Sequence, residues 1–583
     1  MSVNNPFRIP LKNNLVAKSL EMILGLKPLA QHYDLRPQNL DATAFLAYTQ
    51  DALGLESCRI NFEENLKKIP KDGPLIIVAN HPLGGLEGVV LSQLLLKYRP
   101  DLKVLTNKLL THIPEFKELF IGVNVLAKDA KAENFKGIKT SSKHLSNGGA
   151  LLIFPAGKVS SLNIKKLRIE DIAWNRQVGL WAKKYESNVL PIRINGLNSF
   201  KFYLSGLIHP RLRTLLLPRE FVNKRGKHID ISIGNIIEPK EIKGLSDAQA
   251  LTNYFRLCTD LLKDNTSKKG IIPEGQNHLP ISKPPERDIL DCAVNQLSEY
   301  RLIKFKHYSV YCVPGSEIGV IRNELAFARE LTFRTANEGT GQLEDWDEYN
   351  EYYLQLFVYD HTNKKLAGAY RMAETFKVLD SHGVKGLYSN KMYNYDEKLL
   401  RDIGPALEVG RSFVHPDYQK RTAVLDLLWK GIGTYVALNN QITTVFGGVS
   451  ISQEYSEQAR VFIADSMLSS FKFDRVIFNV APKIPLKVKS KLWSSEHLYS
   501  IGNVPLFNKL LGQFEQGKVI PILIRHYLAL NGKFVCFSVN QDLNESLDGL
   551  ILVDFATMPA KYLKRYLGEQ GSIEYKRKWS IND

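Results

Sequence analysis

GPLIIVANHPLGGLEGVVLSQLLLKYR, residues 73–99, decides the architecture of the first half of this chain. LIIVA is a short, unbroken, β-branched apolar run, the pattern of a strand covered on both faces. It stops at Asn80. His81, Pro82 and the pair Gly84–Gly85 then make a turn, and EGVVLSQLLLKYR (87–99) reads as a helix. GALLIFPA (149–156) and SNVLPIRI (187–194) repeat the strand signal, and TSSKHLSNG (140–148) reads as a helix ending on glycines. Strands alternating with helices predict an α/β first domain, and residues 11–55, with LVAKSLEMILGL, predict an amphipathic entry helix.

The chain has 583 residues, more than one hydrophobic core usually serves. Pro273, Pro280, Pro284 and Pro285 with Gly270 and Gly275 crowd residues 264–287, which predicts a linker between domains at 1–263 and 288–583. In the second half YLQLFVYD (353–360), KLAGAYRMA (365–373), ALEVGRSFV (406–414) and TTVFGGVSI (443–451) read as strands. VLDLLWKGIGTYVAL (424–438) reads as a helix packed on them, an α+β pattern. The basic surplus is uneven: residues 1–300 carry 42 basic and 29 acidic side chains, residues 301–583 carry 35 and 31. A basic half suits an acidic partner or an anionic surface, or merely a solvated face. Five scattered cysteines fit neither a disulfide framework nor a zinc site, so we expect a reducing compartment and no bound metal. No run approaches the ~18 apolar residues of a membrane span. The expectation is a cytoplasmic protein with contact at most at the membrane surface. No aromatic-interleaved basic box points to nucleic acid.

The loop after the first strand carries the most chemistry. Acyl transfer to a hydroxyl needs a base for its proton, and a neutral imidazole titrates in the useful range. Glu87 lies six residues after His81 and could fix the imidazole tautomer and stabilise the imidazolium. A turn histidine beside an ordinary helix N-terminal glutamate is the plainer reading of the spacing alone.

Three ordered boxes, NHPLGGLEG (80–88), FPAGKVS (154–160) and VLPIRI (189–194), resemble the glycerolipid O-acyltransferase family, and DIAWNRQVG (171–179) resembles its hemolysin-like branch. The resemblance spans roughly 55–240. It implies an α/β glycerolipid-acyltransferase-like domain with His81 as base and Glu87 as its partner. Asn80, Gly84, Gly85, Phe154, Pro155, Gly157, Lys158, Asp171 and Trp174 are implied to shape the acceptor site. The family places its aspartate five residues after the histidine, and its FPEGTRS box carries a glutamate and an arginine where this chain has Ala156 and Val159. The missing arginine implies an acceptor without glycerol phosphate. Lys158 could meet a carboxylate head group or be simply solvated. SGLIHPRLRTLLLPREF (205–221) mixes leucines and arginines as an interfacial segment does, and equally as a surface helix does.

In the second half, ARELTFR (328–334), EDWDEYN (344–350), AYRMA (369–373) and EVGRSFVHPDYQ (408–419) are unremarkable singly. Their order resembles acyl-homoserine-lactone synthases and the related ornithine N-acyltransferases, over roughly 315–550. FGGVSISQEYS (446–456) and PILIRHYLALNGK (521–533) resemble the ornithine side. The matches are Arg329, Phe333, Asp347, Arg371, Glu408 and Arg411, with Asn350 where the family has a second acid. The resemblance implies an acetyltransferase-like (GNAT-type) domain. An amine attacking a thioester must lose a proton, and Glu408 is the expected base. Arg371 or Arg411 could bind the substrate carboxylate. HPDYQKRTAV (415–424) lacks a glycine-rich phosphate loop, which favours an acyl carrier protein donor, with no bound cofactor, docked on Lys420 and Arg421. Together the two resemblances imply a bifunctional ornithine-lipid synthase, peripheral at the inner face of the cytoplasmic membrane. Ornithine and lyso-ornithine lipid are then its substrates. A glycine lipid synthase, or a membrane-surface binding protein whose boxes have drifted out of use, are the alternatives.

Overall fold

The computed structural model describes residues 5–11, 13–54, 58–124, 131–165, 167–226, 228–262, 279–420, 422–473, 480–488, 491–515 and 517–581. The chain divides into two compact units, Met1–Thr266 with Leu492–Leu506, and Ser267–Lys491 with Phe507–Asp583. Residues 264–278 of the expected linker lie outside the described residues. Residues 492–506, read from the sequence as part of the second domain, belong to the first unit. Helix Ser495–Tyr499 packs there on helix Ala248–Asp260, and Asn253 Nδ2 donates to Ser500 Oγ at 3.0 Å.

The strands of the first unit are β1 (Cys58–Asn61), β2 (Leu75–Ala79), β3 (Lys103–Asn107), β4 (Phe120–Val123), β5 (Ala150–Ile153), β6 (Ser161–Asn163), β7 (Arg168–Glu170), β8 (Asn188–Asn195) and β9 (Ile229–Ile233). Seven form one sheet in the order β1-β9-β8-β2-β5-β3-β4, while β6 and β7 pair as a separate antiparallel ribbon. The β8-β2-β5-β3-β4 stretch is parallel, and β9 reverses direction against β8. Every residue of β2 and β5 is buried, as central strands covered on both faces must be. The loops that leave the C-terminal ends of these neighbours, residues 80–84 and 154–160, therefore emerge side by side, where open α/β sheets place their sites. The single entry helix expected over 11–55 is instead three: Asn14–Leu24, Leu26–Asp34 and Ala42–Ala52. The break at Gly25 has a cause. Its φ is +74°, and a Cβ there would stand 2.5 Å from Arg219 Cα.

The second unit carries β10 (Arg301–Phe305), β11 (Tyr308–Pro314), β12 (Leu354–Asp360), β13 (Lys365–Glu374), β14 (Tyr393–Asn394), β15 (Ala406–Val414), β16 (Thr444–Ile451), β17 (Ala481–Pro482), β18 (Lys533–Asn540) and β19 (Ser546–Asp554). Eight strands order as β10-β11-β12-β13-β15-β16-β19-β18, antiparallel except for β15 beside β16. These two pair only from Ala406–Thr444 to Glu408–Phe446 and then part. The register between β13 and β15 slips just beyond, and Arg411 takes a left-handed φ of +47° within the bulge. Helix Ile321–Thr335 and helix Thr422–Leu438 cover opposite faces: Leu325 and Ala328 pack with Tyr311 and Phe357, whereas Gly431 abuts Val310 and Leu356.

Candidate functional sites

In the first unit the ordered boxes converge. His81 follows β2, and its Nδ1 lies 2.9 Å from Oε2 of Glu87, whose side chain is wholly buried at the start of helix Gly85–Leu96. The Leu83 N–H donates to the other oxygen of Glu87, so the carboxylate is held at a helix N-terminus that favours its charge. Burial opposes a charged imidazole. The Glu87 carboxylate, with a smaller contribution from Asp171, outweighs that, and the His81 pKa is raised. A carboxylate at Nδ1 favours the tautomer that leaves the Nε2 lone pair free to take a proton.

The second box stands against the same ring. Phe154 stacks on His81 with centroids 4.7 Å apart, and the Ser160 N–H donates to the His81 carbonyl at 2.8 Å. Gly157 turns the loop at φ +64°, its N–H bonded to Phe154 O at 2.9 Å. Asp171 ties the boxes together. It accepts from the His81 N–H at 3.3 Å, from Ser160 Oγ, and from Trp174 Nε1 at 3.1 Å. Arg256 in turn anchors the backbone carbonyls of Asp171 and Ile172 at 2.8 and 2.9 Å. The Pro155 carbonyl accepts from the Asn175 N–H at 3.0 Å. Asn80 has a different task from the one read for it. Its amide exchanges two bonds with the Ile194 backbone, at 2.9 and 2.7 Å, and so locks the end of β2 to β8. Gly84 is required, with φ +99° and Leu217 Cδ2 2.8 Å from where a Cβ would stand. Gly85 is helical and has space.

His81, Gly84, Gly88, Phe154, Gly157 and Lys158 line one side of a cavity of about 2090 Å³. Leu29, Phe45, Leu110, Ile113 and Phe116 also line it, as do Arg211 and Arg213. Ligand pockets usually measure roughly 300–1,000 Å³, so this one has room for long acyl chains. Val159, at the place of the family's arginine, is buried among Phe202 and Leu217. Lys158 is exposed.

In the second unit the predicted residues also meet, with one exchange of roles. Arg371 pairs with Asp347, and its guanidinium lies 4.5 Å above the Tyr388 ring. Arg329 is fully buried and donates to Asn350 Oδ1 and Gln355 Oε1, each at 3.2 Å. Asn350 passes the link to Asp347 Oδ1 at 2.9 Å. Burial lowers the Arg329 pKa to about 10. Arg411, from the bulge, lies over Phe333 and Tyr388 and pairs with Asp345 at 3.1 Å. Burial disfavours its charge, but Asp345, Tyr388, Asp347 and Asp548 together outweigh this and the net direction is upward. For Asp347 burial raises the pKa, yet Arg371, Arg411 and Arg329 together carry it below the usual carboxylate range. Around this cluster Arg329 Nε, Arg371 Nη2, Arg411 Nε, Asp347 Oδ2 and the Tyr388 hydroxyl are buried without a hydrogen-bond partner among the described residues. Such orphans of both signs in one place are what a polar ligand resolves.

Glu408, read as the base, does not join the orphans. Its carboxylate accepts from the Ser389 N–H at 2.8 Å, the Tyr388 N–H at 3.2 Å, the Ser389 hydroxyl and the Tyr353 hydroxyl. A carboxylate so occupied holds a loop in place and has no lone pair to offer an amine. Sequence reasoning missed Asp345 and Glu338. Asp345 lies in the quoted EDWDEYN, but nothing in its spacing sets it above its neighbours. Glu338 follows helix Ile321–Thr335 and accepts from Ser450 Oγ at 2.8 Å. Of the expected carrier-protein contacts, Lys420 is exposed and Arg421 lies outside the described residues.

Comparison with known proteins bears on the two domains. Residues 53–268 match a family model described as Acyltransferase, and residues 323–430 one described as Acetyltransferase (GNAT) domain. The chain is 28% identical over 265 residues to a glycine N(alpha)-acyltransferase of Phocaeicola vulgatus, covering 43% of this chain and 80% of that one. It is 28% identical over 212 residues to a lyso-glycine lipid O-acyltransferase of Bacteroides thetaiotaomicron, covering 34% and 76%. A crystal structure of the 1-acyl-sn-glycerophosphate acyltransferase of Thermotoga maritima is similar at 21% identity over 41% of this chain and 87% of that one, with a TM-score of 0.24. This chain is an acyltransferase with an N-terminal acyltransferase domain and a C-terminal GNAT domain.

Proposed function

We propose that the chain is a bifunctional aminolipid synthase. Its GNAT unit acylates the α-amine of a free amino acid with a 3-hydroxyacyl group. Its first unit then esterifies the 3-hydroxyl of that product with a second acyl chain. The observation that carries the reading is the set of unpaired buried groups around Arg411 and Asp347, since a cationic and an anionic side chain left open together suit a zwitterion. The guanidiniums would take the amino acid's carboxylate and the acids its ammonium. The printed names of the relatives make glycine the first head group to test, and ornithine the second.

In the first unit His81 would accept the proton of the lyso-lipid hydroxyl as its oxygen attacks the thioester carbon, and Glu87 would stabilise the imidazolium. The apolar cavity supports an acceptor carrying a long chain. A phosphate-binding arginine is replaced by Val159, which supports a head group without phosphate. Acyl carrier protein is the proposed donor. The proposed location is the cytoplasmic membrane surface. Among the described residues no helix is long and apolar enough to cross a membrane. Leu207, Ile208, Leu212 and Leu215 are well exposed beside the basic Arg211, which supports interfacial docking.

The test is mass spectrometry of lipids from a host that lacks aminolipids and expresses this chain. A new phosphorus-free lipid with a glycine or ornithine head-group fragment and two acyl chains is expected. Absence of any acylated amino acid, with soluble protein and acyl carrier protein present, would refute the reading.

A further inference from the structure

Glu338 sits where β15 and β16 part. Its backbone N–H returns to Phe333 O at 2.8 Å, so the end of helix Ile321–Thr335 fixes its place, and the preceding Asn337 makes the turn at φ +56°. The side chain is buried, and among the described residues only Ser450 of β16 is bonded to it, at Oε2. Ser450 lies past the last residue of β16 that pairs with β15, and Arg411 past the last residue of β15 that pairs with β16. Both act electrostatically or by hydrogen bond on this one carboxyl, together with Asp548 of β19 and Glu454 beyond β16. Asp548 is itself held by Asn540 Nδ2 at 2.7 Å and Ser546 Oγ at 2.8 Å. Glu408 and Asp548 have both oxygens hydrogen-bonded, and Asp345 and Asp347 are ion-paired with Arg411 and Arg371, so among the described residues of this cluster Glu338 is the carboxyl that no arginine pairs and that keeps an oxygen unbonded.

We infer that Glu338 is the base that deprotonates the amino acid's ammonium in the GNAT unit, which rests on the reading of that unit as an amino-acid N-acyltransferase. One proton passes from the ammonium to the Glu338 carboxylate. The freed nitrogen lone pair forms the C–N bond at the thioester carbonyl. Collapse of the tetrahedral intermediate breaks the C–S bond, and the departing thiolate takes the nitrogen's second surplus proton. The products are an amide, a thiol and a protonated Glu338, which then releases its proton to solvent. A base works best with its pKa near the working pH. Burial pushes Glu338 up to about 8; the Ser450 bond pulls it down, Asp548 and Glu454 add to the rise, and Arg411 opposes it.

A purely structural Glu338 would link the helix end to β16 through Ser450, a link that Glu338→Gln retains. The decisive measurement is amide formation by the full-length chain from a 3-hydroxyacyl-acyl carrier protein with glycine and with ornithine, followed as thiol release across pH. Glu338→Gln should lower kcat by about 10²–10⁴-fold near neutrality, with little change in KM. The deficit should narrow at alkaline pH, where the amino acid arrives already unprotonated. Ser450→Ala removes a bond that favours the ionised carboxyl, so the rise of kcat with pH should move to higher pH. Wild-type kcat in a folded Glu338→Gln, or an unmoved profile in Ser450→Ala, overturns the inference. A wild-type chain that makes no amide from either amino acid overturns the underlying reading first, and Glu338's role with it.

Discussion

Nδ1 of His81 and Oε2 of Glu87 stand 2.9 Å apart because the turn through Gly84 folds the chain back before the helix begins. The contact makes the imidazole's titration depend on one buried carboxylate. His81→Ala should therefore reduce O-acylation by about 10²–10⁴-fold while N-acylation continues. Lipid profiles of the variant should show the singly acylated product accumulating.

Glu87→Gln separates the two roles of the pair. The raised pKa of His81 means that the imidazolium–carboxylate contact stabilises the fold below the unfolded histidine's pKa and is lost as pH rises through the folded one. Catalysis needs the neutral ring, so O-acylation should rise with pH through that same folded value. Without the carboxylate's charge, burial dominates and the His81 pKa falls. The acid limb of the rate profile should move to lower pH while the maximal rate drops. A limb that stays in place would show that Glu87 does not set the titration.

Glu408→Ala tests whether this carboxylate is structural. Removing it strands the N–H groups of Tyr388 and Ser389 and two hydroxyls in the buried interior beside β15. We expect a loss of about 2–4 kcal/mol and a Tm lower by several degrees. A base would instead cost kcat with the melting curve unmoved.

The contrast between His81 and Glu408 shows what a sequence can carry. Near-neighbours along the chain, such as Asn80 to Glu87 or Phe154 to Ser160, acquire their geometry from one turn, so their spacing was informative. The four donors on Glu408 come from Tyr353, Tyr388 and Ser389, which no local pattern brings together. Glu338 was invisible for the same reason: it meets Ser450 112 residues away, and its surroundings come from three strands. The central strands β2, β5, β8, β12, β13, β15 and β16 were legible as apolar runs. β10 is not legible in this way: Arg301–Phe305 is a largely exposed edge strand, and pairing with β11 rather than an apolar run makes it a strand.

Arg411→Lys should be poorly tolerated in the GNAT unit. A planar fork pairs with Asp345, lies over Tyr388 and keeps Nε unpaired, and an ammonium cannot do all three. The KM for the amino acid should rise about tenfold or more, the equivalent of one charge-assisted bond at about 1.5–3 kcal/mol. Isothermal titration with the amino acid alone reads the same loss without turnover.

Gly84→Ala and Gly85→Ala form a matched pair. The first places a Cβ 2.8 Å from Leu217 Cδ2 at a φ of +99°, at a cost of about 1–3 kcal/mol in the turn that holds His81. The second meets only Phe221 at 3.8 Å, an ordinary contact. O-acylation should fall in the first variant and persist in the second, with N-acylation unaffected in both.

Gly88 offers a way to measure the cavity. It lies in helix Gly85–Leu96, lines the cavity, and nothing stands within 4 Å of a Cβ built on it. Gly88→Ala adds helix propensity, up to about 1 kcal/mol, and should leave O-acylation near wild type. Gly88→Leu pushes three further carbons into the space one turn from Gly84 and the His81 turn. If the cavity holds an acyl chain, the longest chains should lose rate first while short ones are still transferred. Rates measured with a series of acyl-acyl carrier proteins would then give a length cutoff that moves with side-chain size at 88. Equal losses at every length would mean that the chains lie elsewhere.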